Sequence, residues 1–214
     1  MRKSIKEFVR IVAESFAIVE PIYEFGSLQV PDQEGFADLR PIFEGKEYIG
    51  CDMREGPGVD RILNLHDIDL PAESAGTVLI LDTLEHVEFV RKAIEEALRI
   101  LKPGGILIIS SVMKFPIHDF PYDYWRFTPE SFRSLLKGFG SCFVDFAGDE
   151  LFPHTVVGLG FNGSIPKDDI DEFVVKFESW KKRWYRSRRK WLKAFVKLIT
   201  RPGDISLYKK IRQH

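Results

Sequence analysis

The 214-residue chain has only two cysteines, Cys51 and Cys142, with no CxxC spacing and no ligand cluster near either. That excludes a disulfide framework and gives no sign of a zinc site, so the expectation is two reduced thiols and no metal. Long apolar runs are also missing: none approaches the roughly 18–20 residues of a membrane-spanning helix. Residues 1–20 alternate charged and apolar side chains where a secretory leader would carry an apolar block, and the expected location is cytoplasmic. There is no internal repeat and no low-complexity stretch apart from a basic C-terminal segment, which excludes solenoid and collagen-like architectures. What is present, 44% hydrophobic and 29% charged residues, is the composition of a globular protein with one full-sized core.

Charge is nearly balanced overall, at −1, but segregated along the chain. Residues 176–214 carry 14 Lys and Arg against two acids, Glu178 and Asp204, while the remainder carries 17 basic and 30 acidic residues. A strongly acidic body therefore bears a basic tail.

Periodicity organises the body. Ile5, Phe8, Val9, Val12, Phe16 and Val19 recur at three- and four-residue steps and predict a helix over residues 4–19. Residues 22–25 read as a short strand running into Gly26-Ser27, residues 31–43 as loop and then helix, residues 48–52 as a strand closed by Asp52, and residues 61–65 as a weaker strand. Val78, Leu79, Ile80 and Leu81 form a continuous apolar run closed by Asp82, as expected for a parallel strand covered on both faces. A helix over residues 89–101, stopped by Lys102-Pro103-Gly104-Gly105, precedes another buried strand at residues 106–111. Thr128 as N-cap with Pro129 at the first position starts a helix ending near Gly138, and residues 142–146 and 155–161 are predicted to form an antiparallel pair at one sheet edge. Strands alternating with helices at this spacing predict a doubly wound α/β sheet, mostly parallel with an antiparallel edge. Ligands in such sheets sit beyond the carboxyl ends of the strands, where Glu24, Gly26, Ser27, Asp52, Asp67 and Asp82 fall.

These segments resemble the class I S-adenosylmethionine-dependent methyltransferases, of the type 11-like kind. Ile22-Tyr23-Glu24-Phe25-Gly26-Ser27 is similar to the family's first motif, an acid ending the first strand before a glycine turn. Asp52 stands where the family places the acid that accepts both ribose hydroxyls. Thr77-Val78-Leu79-Ile80-Leu81-Asp82-Thr83-Leu84-Glu85-His86-Val87 resembles the fourth-strand motif, and Leu101-Lys102-Pro103-Gly104-Gly105 the turn before the fifth strand. The resemblance covers about residues 15–162 and implies a Rossmann-like fold, S-adenosylmethionine as cofactor, and Glu24, Gly26, Ser27, Asp52, Asp67 and Asp82 as its binding residues. A carboxylate is the natural bidentate acceptor for two vicinal hydroxyls. One departure is visible: Leu28 and Val30 stand where the motif has its second and third glycines, and the 26 residues from Gly26 to Asp52 exceed the usual interval.

The densest chemistry lies in the loop after residue 112, which holds His118, Asp119, Tyr122, Asp123, Tyr124, Trp125 and Arg126. It reads either as a packed Ω-type loop or as a lid with His118 or Asp119 as general base and Tyr122, Tyr124, Arg126 and His86 facing substrate. Glu85, at a helix start, reads as a complement to the macrodipole.

The C-terminal segment, set apart as residues 166–214 from a catalytic domain of residues 1–165, carries Phe173, Phe177, Trp180, Trp184, Trp191, Phe195 and Leu198 on one helical stripe. The stripe could pack on the body, self-associate, or lie on a membrane through residues 173–198. Nucleic acid ranks last, because no recognised motif accompanies the basic residues. The leading expectation is methyl transfer to an oxygen or nitrogen of a small-molecule or glycan acceptor, lipid-linked if the tail meets a membrane. The alternative, motivated by Leu28 and Val30, is a non-catalytic interaction protein that keeps the fold without the cofactor and binds membrane or nucleic acid through its basic C-terminal helix; a nicotinamide-dependent oxidoreductase ranks below both because the first turn lacks Gly-x-Gly-x-x-Gly.

Overall fold

The computed structural model describes residues 2–119, 121–165 and 167–185. In chain order these form α1 (Lys3–Ser15), β1 (Ile22–Phe25), β2 (Tyr48–Asp52), β3 (Arg61–Ile62), β4 (Ala75–Leu81), α2 (Val90–Ile100), β5 (Leu101–Val112), α3 (Pro129–Leu135), β6 (Ser141–Gly148), β7 (Pro153–Phe161) and α4 (Lys167–Trp184). The seven strands make one sheet in the order β3-β2-β1-β4-β5-β7-β6. Pairing is parallel from β3 through β5, and β7 runs antiparallel to both β5 and β6. The expected doubly wound sheet with an antiparallel pair at one edge is therefore observed.

Pleating divides the core into two layers. Tyr23, Phe25, Val78, Ile80, Leu107 and Ile109 face α2 and α3, where Ala93, Ile94, Ala97 and Phe132 cover them. Ile22, Leu79, Leu81, Ile106 and Ile108 face the opposite side, covered by Ile5, Phe8, Val9 and Val12 of α1 and by α4. All seven residues of β4 are buried, which accounts for the apolar run Val78–Leu81, and the Thr77 hydroxyl is satisfied by donating to Val19 O at 2.9 Å. Capping at α3 follows the sequence: Thr128 Oγ1 accepts from Ser131 N–H, Ser131 Oγ accepts from Thr128 N–H, and Pro129 occupies the first turn.

Two expectations need correction. Residues 31–43 hold no α-helix, only 3-10 turns at Pro31–Gln33 and Arg40–Ile42, and the β1–β2 crossover covers the sheet mainly with Leu39 and Phe43. The predicted boundary at residue 165 does not separate two cores. Phe173, Phe177 and Trp180 of α4 are 0–2% exposed and pack on Phe8 of α1, with ring centroids 5.6–6.5 Å apart.

That packing also corrects the expected membrane or self-association role for the first part of the stripe. Its aromatic face is already used inside the chain, and Trp180 Nε1–H donates to Ser4 O at 2.8 Å. Charge follows the same plan: Lys181 Nζ lies 2.6 Å from Asp145 Oδ1, Arg183 Nη1 3.4 Å from Glu7 Oε2, and Trp184 Nε1–H donates to Glu7 at 2.9 Å. Trp191, Phe195 and Leu198 lie outside the described residues. Among the described residues no helix is long and apolar enough to cross a membrane. Truncating Phe177 to Ala is expected to cost about 3–5 kcal/mol of stability, read as a shifted midpoint in urea unfolding. A change within error would mean that α4 is not part of the core.

Candidate functional site

Everything at the carboxyl end of the sheet is arranged around the turn that leaves β4. β1 ends against it at Gly26, where φ is +86° and an added Cβ would lie 2.1 Å from Thr83 Oγ1. Only glycine can make this approach. Gly26 N–H and Ser27 N–H both donate to Cys51 O, at 2.8 and 3.1 Å, joining the loop after β1 to the end of β2.

The loop after β2 continues that pairing. Gln29 N–H donates to Pro57 O at 2.9 Å. The Leu28 side chain sits on Gly56, 2.5 Å from where a Cβ would be, and Gly58, at φ +88°, has Ser27 O 2.5 Å from its Cβ position. The glycines missing at residues 28 and 30 are thus matched by glycines on the facing loop, and the two backbones still approach closely. Arg40 locks the arrangement from the crossover: its Nη2 donates to Asp60 Oδ2 at 2.6 Å and to Gly58 O at 3.3 Å, while Asp60 Oδ2 also accepts from Gly50 N–H.

The predicted cofactor residues fare differently. Asp52 ends β2 with its carboxylate partly exposed, Oδ1 accepting from Arg54 N–H at 3.0 Å. Ser27 is 6% exposed, and its Oγ has no hydrogen-bond partner. Asp67 is exposed in a turn closed by its own N–H to Asn64 O.

Glu24 is turned to the α1 side of the sheet, 5% exposed, accepting from Tyr48 Oη–H at 2.6 Å. The expectation of a direct cofactor contact is corrected there, because the carboxyl is enclosed and bonded within the fold. Burial pushes its pKa up to about 7, opposed by the Tyr48 hydrogen bond and by Arg40. The Tyr48 hydroxyl is itself raised, chiefly by burial and then by Glu24. Asp82, at φ +48°, is likewise engaged: Arg2 Nε donates to Oδ2 at 3.0 Å, Arg2 Nη2 to Oδ1 at 2.6 Å, and Ser110 Oγ–H to Oδ1 at 2.9 Å. Its carboxylate secures the chain's N-terminal end to β4, and Arg2 also donates to His154 O and to Thr155 Oγ1.

Residues 83–87 form the other wall. Leu84–His86 is a 3-10 turn rather than the start of a helix, and α2 begins only at Val90. Glu85 is 1% exposed and its Oε2 accepts from Ser111 Oγ–H at 2.6 Å, so it is not a solvated acid complementing a helix dipole. Burial, reinforced by the nearby Asp82 charge, raises its pKa to about 7. His86 extends the other way, its Nδ1 2.7 Å from Tyr122 O and its Nε2 3.1 Å from His118 Nε2.

The loop after β5 docks on this turn. Tyr124 and Trp125 N–H groups donate to Glu85 O, and Trp125 Nε1–H donates to Val87 O at 3.0 Å. Its organising contact is the Asp123–Arg126 pair, bidentate at 2.6 and 2.7 Å. Asp123 also accepts from His118 N–H at 2.8 Å, and the Arg126 bonds hold its carboxyl well below the usual carboxylate range. Arg126 closes the loop by donating to Phe115 O and Pro116 O, so it is a structural clasp and not the open substrate contact expected of it. Asp119 is exposed at φ +50° and makes no side-chain bond among the described residues. Tyr122 and Tyr124 are 60% and 42% exposed on the rim. Sequence reasoning missed Asp123 and undervalued Glu85. The three-residue spacing of Asp123 and Arg126 was the available signal for the first.

Residues 45–109, running from β2 to β5, match a family described as "Methyltransferase domain". The fold is that of the class I S-adenosylmethionine-dependent methyltransferases, and this segment carries the methyltransferase-domain match. Its fold is shared with an Archaeoglobus fulgidus SAM-dependent methyltransferase at 16% identity and a TM-score of 0.58, covering 75% of this chain and 94% of that one. It is also shared with a Thermotoga maritima SAM-dependent methyltransferase, described as a possible histamine N-methyltransferase, at 19% identity and 0.54, covering 74% and 89%. The methyltransferase CalH, solved with S-adenosylhomocysteine, matches at 14% identity and 0.55, over 74% of this chain and 55% of its own. No curated protein matches the sequence.

The residues present fit that cofactor. A backbone cradle that a Cβ would fill at Gly26, an orphaned buried hydroxyl at Ser27 and a partly open carboxylate at Asp52 line the ends of β1 and β2.

One consequence concerns pH. Because folding raises the Glu24 pKa from 4.5 to about 7, its protonated form stabilises the native state fully below about 4.5, and that contribution is lost as pH rises through about 7. Glu24→Gln is expected to be nearly neutral at about pH 4 and to gain on the order of 3 kcal/mol relative to the parent by about pH 8. Thermal unfolding of both proteins across this range checks it, and a difference that does not grow with pH would contradict it.

Proposed function

We propose that this methyltransferase transfers the methyl group to an oxygen or nitrogen of a small-molecule or glycan acceptor bound between the turn at residues 83–87 and the loop at residues 114–127. The observation that carries the reading is the meeting of His86 and His118 at 3.1 Å, on the turn after β4 whose Thr83 stands against Gly26. An acceptor hydroxyl or ammonium must lose a proton, and an imidazole is suited to take it. His118 is held for such a role by Asp123, which in turn is held by Arg126.

Gly26, Ser27 and Asp52 would hold S-adenosylmethionine, Asp52 accepting from ribose hydroxyls and the glycine turn admitting the methionine end. The bound cofactor supplies an electrophilic methyl on sulfur, which passes to an acceptor lone pair aligned opposite the departing sulfur. Protein groups contribute by aligning the acceptor and excluding water. Exposed Tyr122, Tyr124 and Trp125 offer flat apolar surfaces with polar edges, suited to a sugar or other ring. A lipid-linked acceptor draws no support from α4, whose aromatic face is buried against α1. The non-catalytic reading loses its motive as well, since Gly56 and Gly58 supply the close approach that Leu28 and Val30 had put in question.

Asp52→Ala is expected to weaken binding of S-adenosylhomocysteine by well over tenfold, because two hydrogen bonds to a charged acceptor are lost. Calorimetric titration of parent and variant checks this, and an unchanged dissociation constant would count against the assignment.

A further inference from the structure

The two imidazoles present a problem of proton placement. His86 Nδ1 lies 2.7 Å from Tyr122 O, a carbonyl that can only accept, so this nitrogen carries the hydrogen. His118 Nδ1 faces Pro116 O at 3.2 Å and Asp123 Oδ2 at 3.3 Å, again acceptors only, and it too carries the hydrogen. In the neutral rings both Nε2 atoms are then bare lone pairs, and they face each other at 3.1 Å. A shared proton or a cation must lie between them.

Several observations favour the cation. A carboxylate oxygen of Glu85, 1% exposed, and a ring nitrogen of each histidine lie within 4.8 Å of one another. With metal–nitrogen bonds of about 2.0–2.1 Å, a 3.1 Å separation subtends about 98°, between octahedral and tetrahedral values. Each ring donates its far N–H to a carbonyl or carboxylate, the second layer found around metal-bound histidines. His118 is backed by Asp123 and Asp123 by Arg126, so one donor is held from two layers out. The donor set comes from three positions in two segments, and those segments are fixed to each other by Tyr124 and Trp125 on Glu85 O.

We propose that Glu85, His86 and His118 form a site for a divalent first-row transition-metal ion. Two imidazoles and one carboxylate suit zinc, manganese, cobalt or iron and not magnesium, which prefers oxygen donors. Three protein donors leave positions open for water or an acceptor oxygen, whose proton a bound cation would make easier to lose. That last use rests on the methyltransferase reading; the site itself does not. With the metal bound it is the cation, not a free imidazole, that eases the acceptor's proton loss.

The test uses the full chain without a histidine tag, stripped with chelator and titrated with zinc, with magnesium as comparison and no cofactor present. One zinc per chain is expected, with affinity falling at least tenfold in His86→Ala and in His118→Ala and unchanged in His66→Ala, while millimolar magnesium does not compete. Circular dichroism verifies that the variants fold. Should either fail to fold, X-ray absorption of the zinc-loaded parent decides, since two imidazole nitrogens at about 2.0–2.1 Å are required. Substoichiometric zinc, binding unaffected by both substitutions, or a spectrum without imidazole scattering would overturn the proposal and leave a proton shared between the rings. Failure of the metal test would leave cofactor binding through Asp52 untouched and return the imidazoles to the base role, so the two failures are distinguishable.

Discussion

A strand buried on both faces can present polar groups only where it ends, and β4 is buried along all seven of its residues. Apart from Thr77, which donates to Val19 O, its polar groups lie in the turn that follows, and each goes to a different structural partner. Asp82 receives Arg2, Thr83 stands against Gly26, Glu85 reaches Ser111 on β5, and His86 meets the loop after β5. The N-terminal end, the loop after β1 and the loop after β5 are all positioned by these contacts.

The same economy explains an unusual distribution of glycine. Close approach between the loops after β1 and β2 requires that one backbone lack side chains, but it does not dictate which. Here Leu28 packs into the space left by Gly56, and Gly58 passes against Ser27 and Gln29. Arg40 then ties the crossover to the second loop through Asp60 and Gly58. A crossover without an α-helix can be tolerated because Leu39 and Phe43 still cover the sheet and Arg40 supplies the polar tie.

Much of this was legible in the sequence, for a physical reason. Strands β1, β2 and β4, helix α2 and the Thr128-Pro129 start of α3 depend on local periodicity and capping, and they lie within a few residues of their predicted ends. The rest depends on contacts distant in sequence. Periodicity cannot show that Glu24 points away from the cleft, because that follows from its pairing with Gly50 and the nearby Tyr48 hydroxyl. Nor can it show that Asp82 is claimed by Arg2, 80 residues earlier. Glu85 was misjudged because a 3-10 turn before α2 looks like the helix's own first turn. The aromatic stripe of α4 has the same spacing whether it meets lipid or α1, and only the matching Ile5, Phe8 and Val9 face shows which.

The central claim is that the paired loops after β1 and β2, closed against the β4 turn, receive S-adenosylmethionine. Hydrogen–deuterium exchange with and without S-adenosylhomocysteine tests it most directly. The account predicts protection on binding at residues 26–30, 52–58 and 83–86, with none in α4 or around Arg40–Tyr48. No protection at the two loops, or protection confined to the roughly 500 Å³ cavity beside Arg40 and Tyr48, would contradict it.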